Sequence, residues 1–216
     1  MPLKGAFINL GAGLLGALPN IIIFQFNPLR VSRTPKMAQP PASETGSGSH
    51  DATQQPGQPT ESYSFSLRID ATDQLASSNP IAAASGILPA LSALELLMVP
   101  KSSLTIDLFK LSGQKKPHQH PPERLPTILF FWGPCRILPV TVNSLSISET
   151  EYDQLLNPIR AEVSVSLQVL APFQLKNSPI AQGAYDYSQG VKEVMAALNL
   201  ANTAAMGLSG GISLSF

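Results

Sequence analysis

Three apolar runs between residues 125 and 170 alternate with polar positions and organise the chain. In RAEVSVSLQVL, Val163, Val165, Leu167 and Val169 fall on one side, with Glu162, Ser164, Ser166 and Gln168 on the other. A period of two with β-branched residues on the apolar side predicts a half-buried antiparallel strand. The run ILPVTVNSLSI slips in parity: Val140 and Val142 share a face, whereas Leu145 and Ile147 need the opposite count. One extra residue near positions 143–144, a β-bulge, returns all four to the same side. TILFFWG supplies a third strand. The intervening SETEYDQLLNPIR is too polar and too interrupted by Pro158 to continue either neighbour, so it is expected to project as a long arm or loop.

Elsewhere the same patterns predict further elements. Residues 4–10 and 20–28 read as short strands joined by a Gly-rich turn, with Phe24 and Phe26 on one face and Asn27–Pro28 ending the second. LRVSRT is another extended piece. In SYSFSLRID, Tyr63, Phe65, Leu67 and Ile69 alternate against Ser62, Ser64, Ser66 and Arg68, a second clear strand. NPIAAASGILPALSALELLMVP has helical spacing through Leu91, Leu94, Glu95 and Met98; Asn79 is its N-cap, Pro80 its first residue, and Pro89 a break or fresh start. SLTIDLFKL (103–111) alternates as an extra strand or hairpin arm. VKEVMAALNLANTAAM is an amphipathic helix with Val191, Val194, Met195, Leu198 and Ala201 on one stripe. Residues 37–60, rich in Pro, Ser, Gly, Gln and Thr, bury too little apolar surface to offset ordering and are expected to be a flexible insertion.

These elements divide the chain into a β domain over residues 1–175 and a C-terminal extension over 176–216, a helix followed by a Gly- and Ser-rich tail. Fourteen basic and fourteen acidic residues cancel, so no overall field draws the chain to nucleic acid or anionic lipid. Charged residues make up 13%, against about a quarter in ordinary soluble domains. Such a surface suits a subunit that hides much of itself in partners. One cysteine, Cys135, allows no intrachain disulfide. The N-terminal apolar stretch after Lys4 is broken by Asn9, glycines and Pro19, so neither a cleaved signal nor a stable membrane span is expected.

No GxSxG, GxxxxGK[ST], HExxH or GxGxxG sequence occurs. His118 and His120 sit two residues apart in a Pro-rich loop without a thiol ligand nearby, so no metal or cofactor site is assigned. Glu149, Glu151 and Asp153 cluster on the projecting arm, where carboxylates serve solvation or ion pairing with another subunit before catalysis. Trp132, Phe130 and Phe131 read as sheet-packing residues. Nothing here marks an enzyme.

The order of landmarks then resembles a known family. A strand ending in FQFNP, a short RVSRT strand, SFSLRIDATD, a helix ending ALELLM, a strand closing on FFWG, and VNSLSISETEYDQLLNPIRAEVSVSL follow one another from residue 21 to 170. This succession is similar to the tube-type proteins of contractile injection systems, the phage-tail-like particles, and within them to the baseplate protein that joins the inner tube to the spike.

The resemblance implies a mainly β fold with α-helix: two packed antiparallel sheets forming a barrel-like core, one flanking helix, and the C-terminal extension. It implies a homo-hexameric ring with a β-lined channel, with the inner tube protein, the spike or hub protein and other baseplate subunits as partners. The ring would assemble in the cytoplasm and reside in a phage-tail-like particle. Subunit-interface candidates are Glu149, Glu151, Tyr152, Asp153, Leu155 and Leu156 on the arm, and Tyr185, Tyr187 and Phe216 in the extension. Alternatives are an inner-tube or tube-terminator subunit, or a β-sandwich module binding a peptide or glycan. The chain departs from the family in lacking a LysM module after the β domain, and in its 37–60 and 101–124 insertions.

Overall fold

The computed structural model describes residues 2–10, 20–37, 59–99, 126–176 and 178–209. Seven strands form its frame: β1 (Ala6–Asn9), β2 (Asn20–Ile23), β3 (Val31–Lys36), β4 (Thr60–Asp70), β5 (Ile128–Phe131), β6 (Ile137–Tyr152) and β7 (Pro158–Val169). Helices α1 (Thr72–Ala76), α2 (Pro80–Ser85) and α3 (Leu88–Glu95) follow β4, and α4 (Pro179–Ser209) closes the described chain. The strands make a single antiparallel sheet in the order β2-β1-β5-β6-β7-β4-β3, not two packed sheets as expected. Among the described residues no backbone ladder joins the margins β2 and β3, so the sheet is not closed into a barrel.

The alternation appears as burial. Tyr63, Phe65 and Leu67 on β4 and Val163, Val165 and Leu167 on β7 are buried, while Ser64, Ser66, Glu162 and Ser164 between them are exposed. The parity slip in β6 is a bulge: the register jumps between Val142 and Ser144, leaving Asn143 as the extra residue. A second shift near Thr150 lets β6 run on to Tyr152. Here the structure corrects the expected long loop, because β6 and β7 continue as a two-stranded hairpin past the core and only residues 153–157 turn. Polar residues suit both faces where no core lies beneath, and Pro158 sits at the first position of β7, where its missing N–H is tolerated.

The sheet is strongly curled. Phe7 on β1 and Phe65 on β4 stand four strands apart, about 19 Å on a flat sheet at about 4.8 Å per strand. Their ring centroids nevertheless lie 6.3 Å apart. Phe130 on β5 stacks on Phe65 at 5.4 Å and meets Phe7, Phe24, Tyr63 and Trp132. Burying these rings together bends the sheet around its apolar face. Phe24 belongs to this core, but Phe26 does not share its side: β2 ends at Ile23, and the bend beyond it leaves Phe26 exposed.

Near that bend the end of β2 approaches the end of β4, past the stretch that β3 covers. The Gln25 side chain donates to the Asp70 carbonyl at 2.6 Å and accepts from the Asp70 N–H at 2.9 Å, filling both backbone groups at the end of β4. One amide side chain thus substitutes for a missing strand pairing.

The α2–α3 pair matches its sequence signals. Asn79 Oδ1 accepts from the N–H groups of Ile81 and Ala82, and Pro80 and Pro89 each stand in the first turn of a helix. The break falls at Gly86, whose φ is +57°. Leu91, Leu94 and Leu97 are buried.

Helix α4 begins at Pro179, well before residue 191. Gly183 and Gly190 each cost about 1 kcal/mol of helix propensity, but Ala181, Tyr185 and Ser188 are buried and hold this part against the sheet. Ser188 Oγ accepts from the Ile137 N–H and donates to its carbonyl, docking α4 on the first residue of β6. The 103–111 strand, nearly all of the 37–60 insertion, both loop histidines and the C-terminal tail with Phe216 lie outside the described residues.

Candidate functional site

The side of the sheet opposite the core is paved with hydroxyls. Ser32, Ser64, Ser166 and Ser144 align directly across β3, β4, β7 and β6. One step along the strands, Ser66, Ser164 and Ser146 form a second row, and the Ser66 and Ser164 hydroxyls lie 3.4 Å apart. Thr34, Ser62, Gln168 and Thr141 make a third. Together with residues of the 24–30 loop the first two rows line a trough of about 1460 Å³. The serines were visible in the sequence as the polar half of each alternation. Their alignment depends on register, which the sequence alone did not show.

Two buried carboxylates fix the two ends of β4. Asp70, at the end of β4, accepts from the Thr72 N–H and hydroxyl, from Arg160 Nε at 2.8 Å and from Arg68 Nη2 at 3.2 Å. Arg160 also pairs with Glu151 on β6, so one guanidinium ties the root of the arm to the sheet. The bonds from Thr72 and then Arg160 hold the Asp70 carboxyl well below the usual carboxylate range. At the other end of β4, Glu61 accepts from Lys192 Nζ at 2.9 Å, from the Tyr63 hydroxyl at 2.7 Å and from Arg33. Burial opposes its ionisation, but the bonds from Lys192, Tyr63 and Arg33 together outweigh burial and depress its pKa. Lys192 makes this cluster a second fastening point for α4.

Since both carboxyls titrate lower in the folded chain, the unfolded chain takes up protons first as pH falls through about 4. Their contribution is therefore complete above that range and is lost as pH drops toward the folded-state values. Melting followed by circular dichroism from about pH 7 to about pH 3 is expected to show Tm falling below about pH 4.5. Glu61→Gln should lower Tm at neutral pH and flatten part of the acid fall. An unchanged profile in that variant would contradict the assigned role of Glu61.

The arm presents the acidic candidates. Glu149, Glu151 and Tyr152 are exposed. Asp153 organises the tip: the Asn157 side-chain amide, and after it the N–H groups of Asn157 and Leu155, donate to its carboxylate and hold it below the ordinary range. Leu155 and Leu156 point outward, and Leu156 adopts φ +62°. A leucine in the left-handed region costs about 1–2 kcal/mol. The root of the arm rests on the α2–α3 turn, where the Ile87 N–H donates to the Pro158 carbonyl and Asn157 Nδ2 to the Ala84 carbonyl.

The candidates on α4 separate. Tyr185 is buried and taken up by the domain's own core, whereas the exposed Tyr187 hydroxyl donates to the Pro134 carbonyl at 3.0 Å. Beyond Lys192 the helix leaves the sheet, and residues 193–206 are all exposed, Val194, Met195, Leu198, Leu200 and Met206 among them.

The sequence reading missed the loop between β2 and β3. Leu29 is fully exposed, and Phe26 and Arg30 flank it. Asn27 fixes the loop by accepting from the Gly5 N–H and donating to the Leu3 carbonyl, while Lys4 donates to the Gln25 carbonyl. The FQFNPLR stretch offered the signal, since Asn27–Pro28 marks a turn.

Among the described residues no three His, Cys, Asp or Glu side chains gather as a metal site, and no helix is long and apolar enough to cross a membrane. No protein-family model matches this chain, and no curated protein matches it.

Proposed function

We propose that this chain is a structural subunit of a contractile injection system baseplate, a hexameric ring that joins the inner tube to the spike hub and templates tube assembly. The observation that supports it best is the division of the sheet: one face is filled by the chain's own core, the other is a continuous hydroxyl surface, and among the described residues β2 and β3 each pair with a strand on one side only. Free strand margins invite pairing with another chain. A cyclic assembly of identical copies satisfies every such margin alike. In this reading the curled sheet acts as a barrel-like body whose seam is bridged by Gln25, and the serine rows face a water-filled channel.

In this reading the role is geometric, and Asp70 and Glu61 serve the frame through the cations that engage them. The distal half of α4 is assigned to the hub or to other baseplate subunits. Assembly takes place in the cytoplasm, within a phage-tail-like particle.

Native mass spectrometry and negative-stain imaging of the purified chain, alone and with tube subunits, test this. Six-fold rings with a central opening are expected. The size of the trough favours a second reading, a monomeric module that binds a peptide or glycan there. A chain that stays monomeric with tube subunits present and takes up such a ligand would replace the first reading with the second.

A further inference from the structure

We propose that the arm of one chain docks on the β2–β3 loop of a second copy, joining an acidic apolar surface to a basic apolar one. Residues 148–157 contain three carboxylates, Glu149, Glu151 and Asp153, and no cation. Residues 2–4 and 24–30 contain Lys4 and Arg30 and no carboxylate. Each surface also carries bare leucine: Leu155 and Leu156 are 77% and 79% exposed, and Leu29 is 106% exposed beside Phe26 at 45%. Opposite charge steers the two surfaces together and fixes their register, while the apolar residues supply the buried area. The chain as a whole is neutral, so like copies do not repel at long range.

Both surfaces are rigid before they meet. Asp153 braces the arm's tip through two backbone N–H groups, and the root is bonded to the α2–α3 turn. Asn27 and Lys4 pin the loop to the chain ahead of β1. Ordering costs on association are therefore small. Leu156 is held at positive φ with its side chain in water, while its N–H donates to the Asp153 carbonyl and closes the tip. Strain of this kind persists where the surrounding structure enforces it, and it clusters at functional positions.

The two surfaces differ, so the contact is head-to-tail. Repetition of such a contact generates a closed ring or an open filament according to its rotation. It supplies a joint for the proposed ring and rests on that reading only for closure into six.

Sedimentation velocity of the full chain over a dilution series, at low and high salt, tests the contact. The wild-type chain is expected to self-associate, and less so at high salt. Glu149→Arg and Arg30→Glu should each weaken association about tenfold, and combining them should restore most of the loss. Leu156→Gly relieves the backbone while removing the leucine; it should melt no lower than wild type yet associate about tenfold more weakly. A chain that stays monomeric at every concentration overturns the proposal. So do reversals without effect, or a double variant no better than either single one. Six-fold rings indifferent to the reversals would keep the ring and discard this contact. Filaments or dimers that respond to them would keep the contact and discard the ring.

Discussion

Replacing Phe130 with alanine is expected to cost about 4 kcal/mol of folding stability, within the usual range for a buried phenylalanine. Phe130 is fully buried and touches rings from β1, from β4, from the bend after β2 and from Trp132. Those rings come from strands that would stand far apart on a flat sheet, so Phe130 sits at the centre of the curl. Removing it leaves a cavity that its neighbours can fill only by opening the sheet. A domain has about 5–15 kcal/mol in total, so one such loss leaves little margin. Urea denaturation monitored by Trp132 fluorescence measures the effect as a drop in midpoint at constant slope. A loss under about 1 kcal/mol would show that the rings pack independently.

The second large effect is expected at Gly86, where alanine should cost about 3 kcal/mol. Its backbone lies at φ +57° and ψ −128°, a region that only glycine enters readily. A Cβ there would fall 2.1 Å from the Pro158 carbonyl oxygen. That oxygen accepts the Ile87 N–H, and Pro158 opens β7 at the root of the arm. Relief of the clash therefore has to push the arm away from the α2–α3 turn. Hydrogen exchange at the Ile87 amide should accelerate along with the loss of stability. Gly183→Ala is the control: a Cβ there meets nothing within 4 Å in helix α4, and alanine should stabilise by up to about 1 kcal/mol. Equal effects at the two glycines would argue against a steric role for Gly86.

Both positions show where a sequence reading stops. That Phe130 is buried follows from its place in an apolar run; that it joins opposite ends of a sheet does not. In sequence Pro89 marks the break in this helical run; that Gly86 holds the turn against Pro158, 72 residues further along the chain, is not legible there. The arm illustrates the same divide. Its acidic character and its pair of leucines were plain in SETEYDQLLNPIR. Its form was not, because polar alternation over two wet faces looks like loop when no partner strand is known. Arg160, which anchors the arm by bonding both Asp70 and Glu151, reads in sequence as one more surface cation.

The sequence by itself determined the elements whose signal is local: the alternating strands β4 and β7, the bulge at Asn143, the Asn79 cap, and the apolar stripe of α4. These follow from side-chain periodicity and backbone sterics within a few residues, so they are written wherever the chain is read. Only the tertiary structure decided that all seven strands share one sheet, that its serines fall into rows, and that Gln25 bridges the ends of β2 and β4. It also decided that α4 starts at Pro179, where burial of Ala181 and Tyr185 outweighs two glycines. Each of these depends on which distant segments meet, and that choice is made by the joint burial of the aromatic core and the satisfaction of backbone groups across long loops. No window of neighbouring residues contains that information.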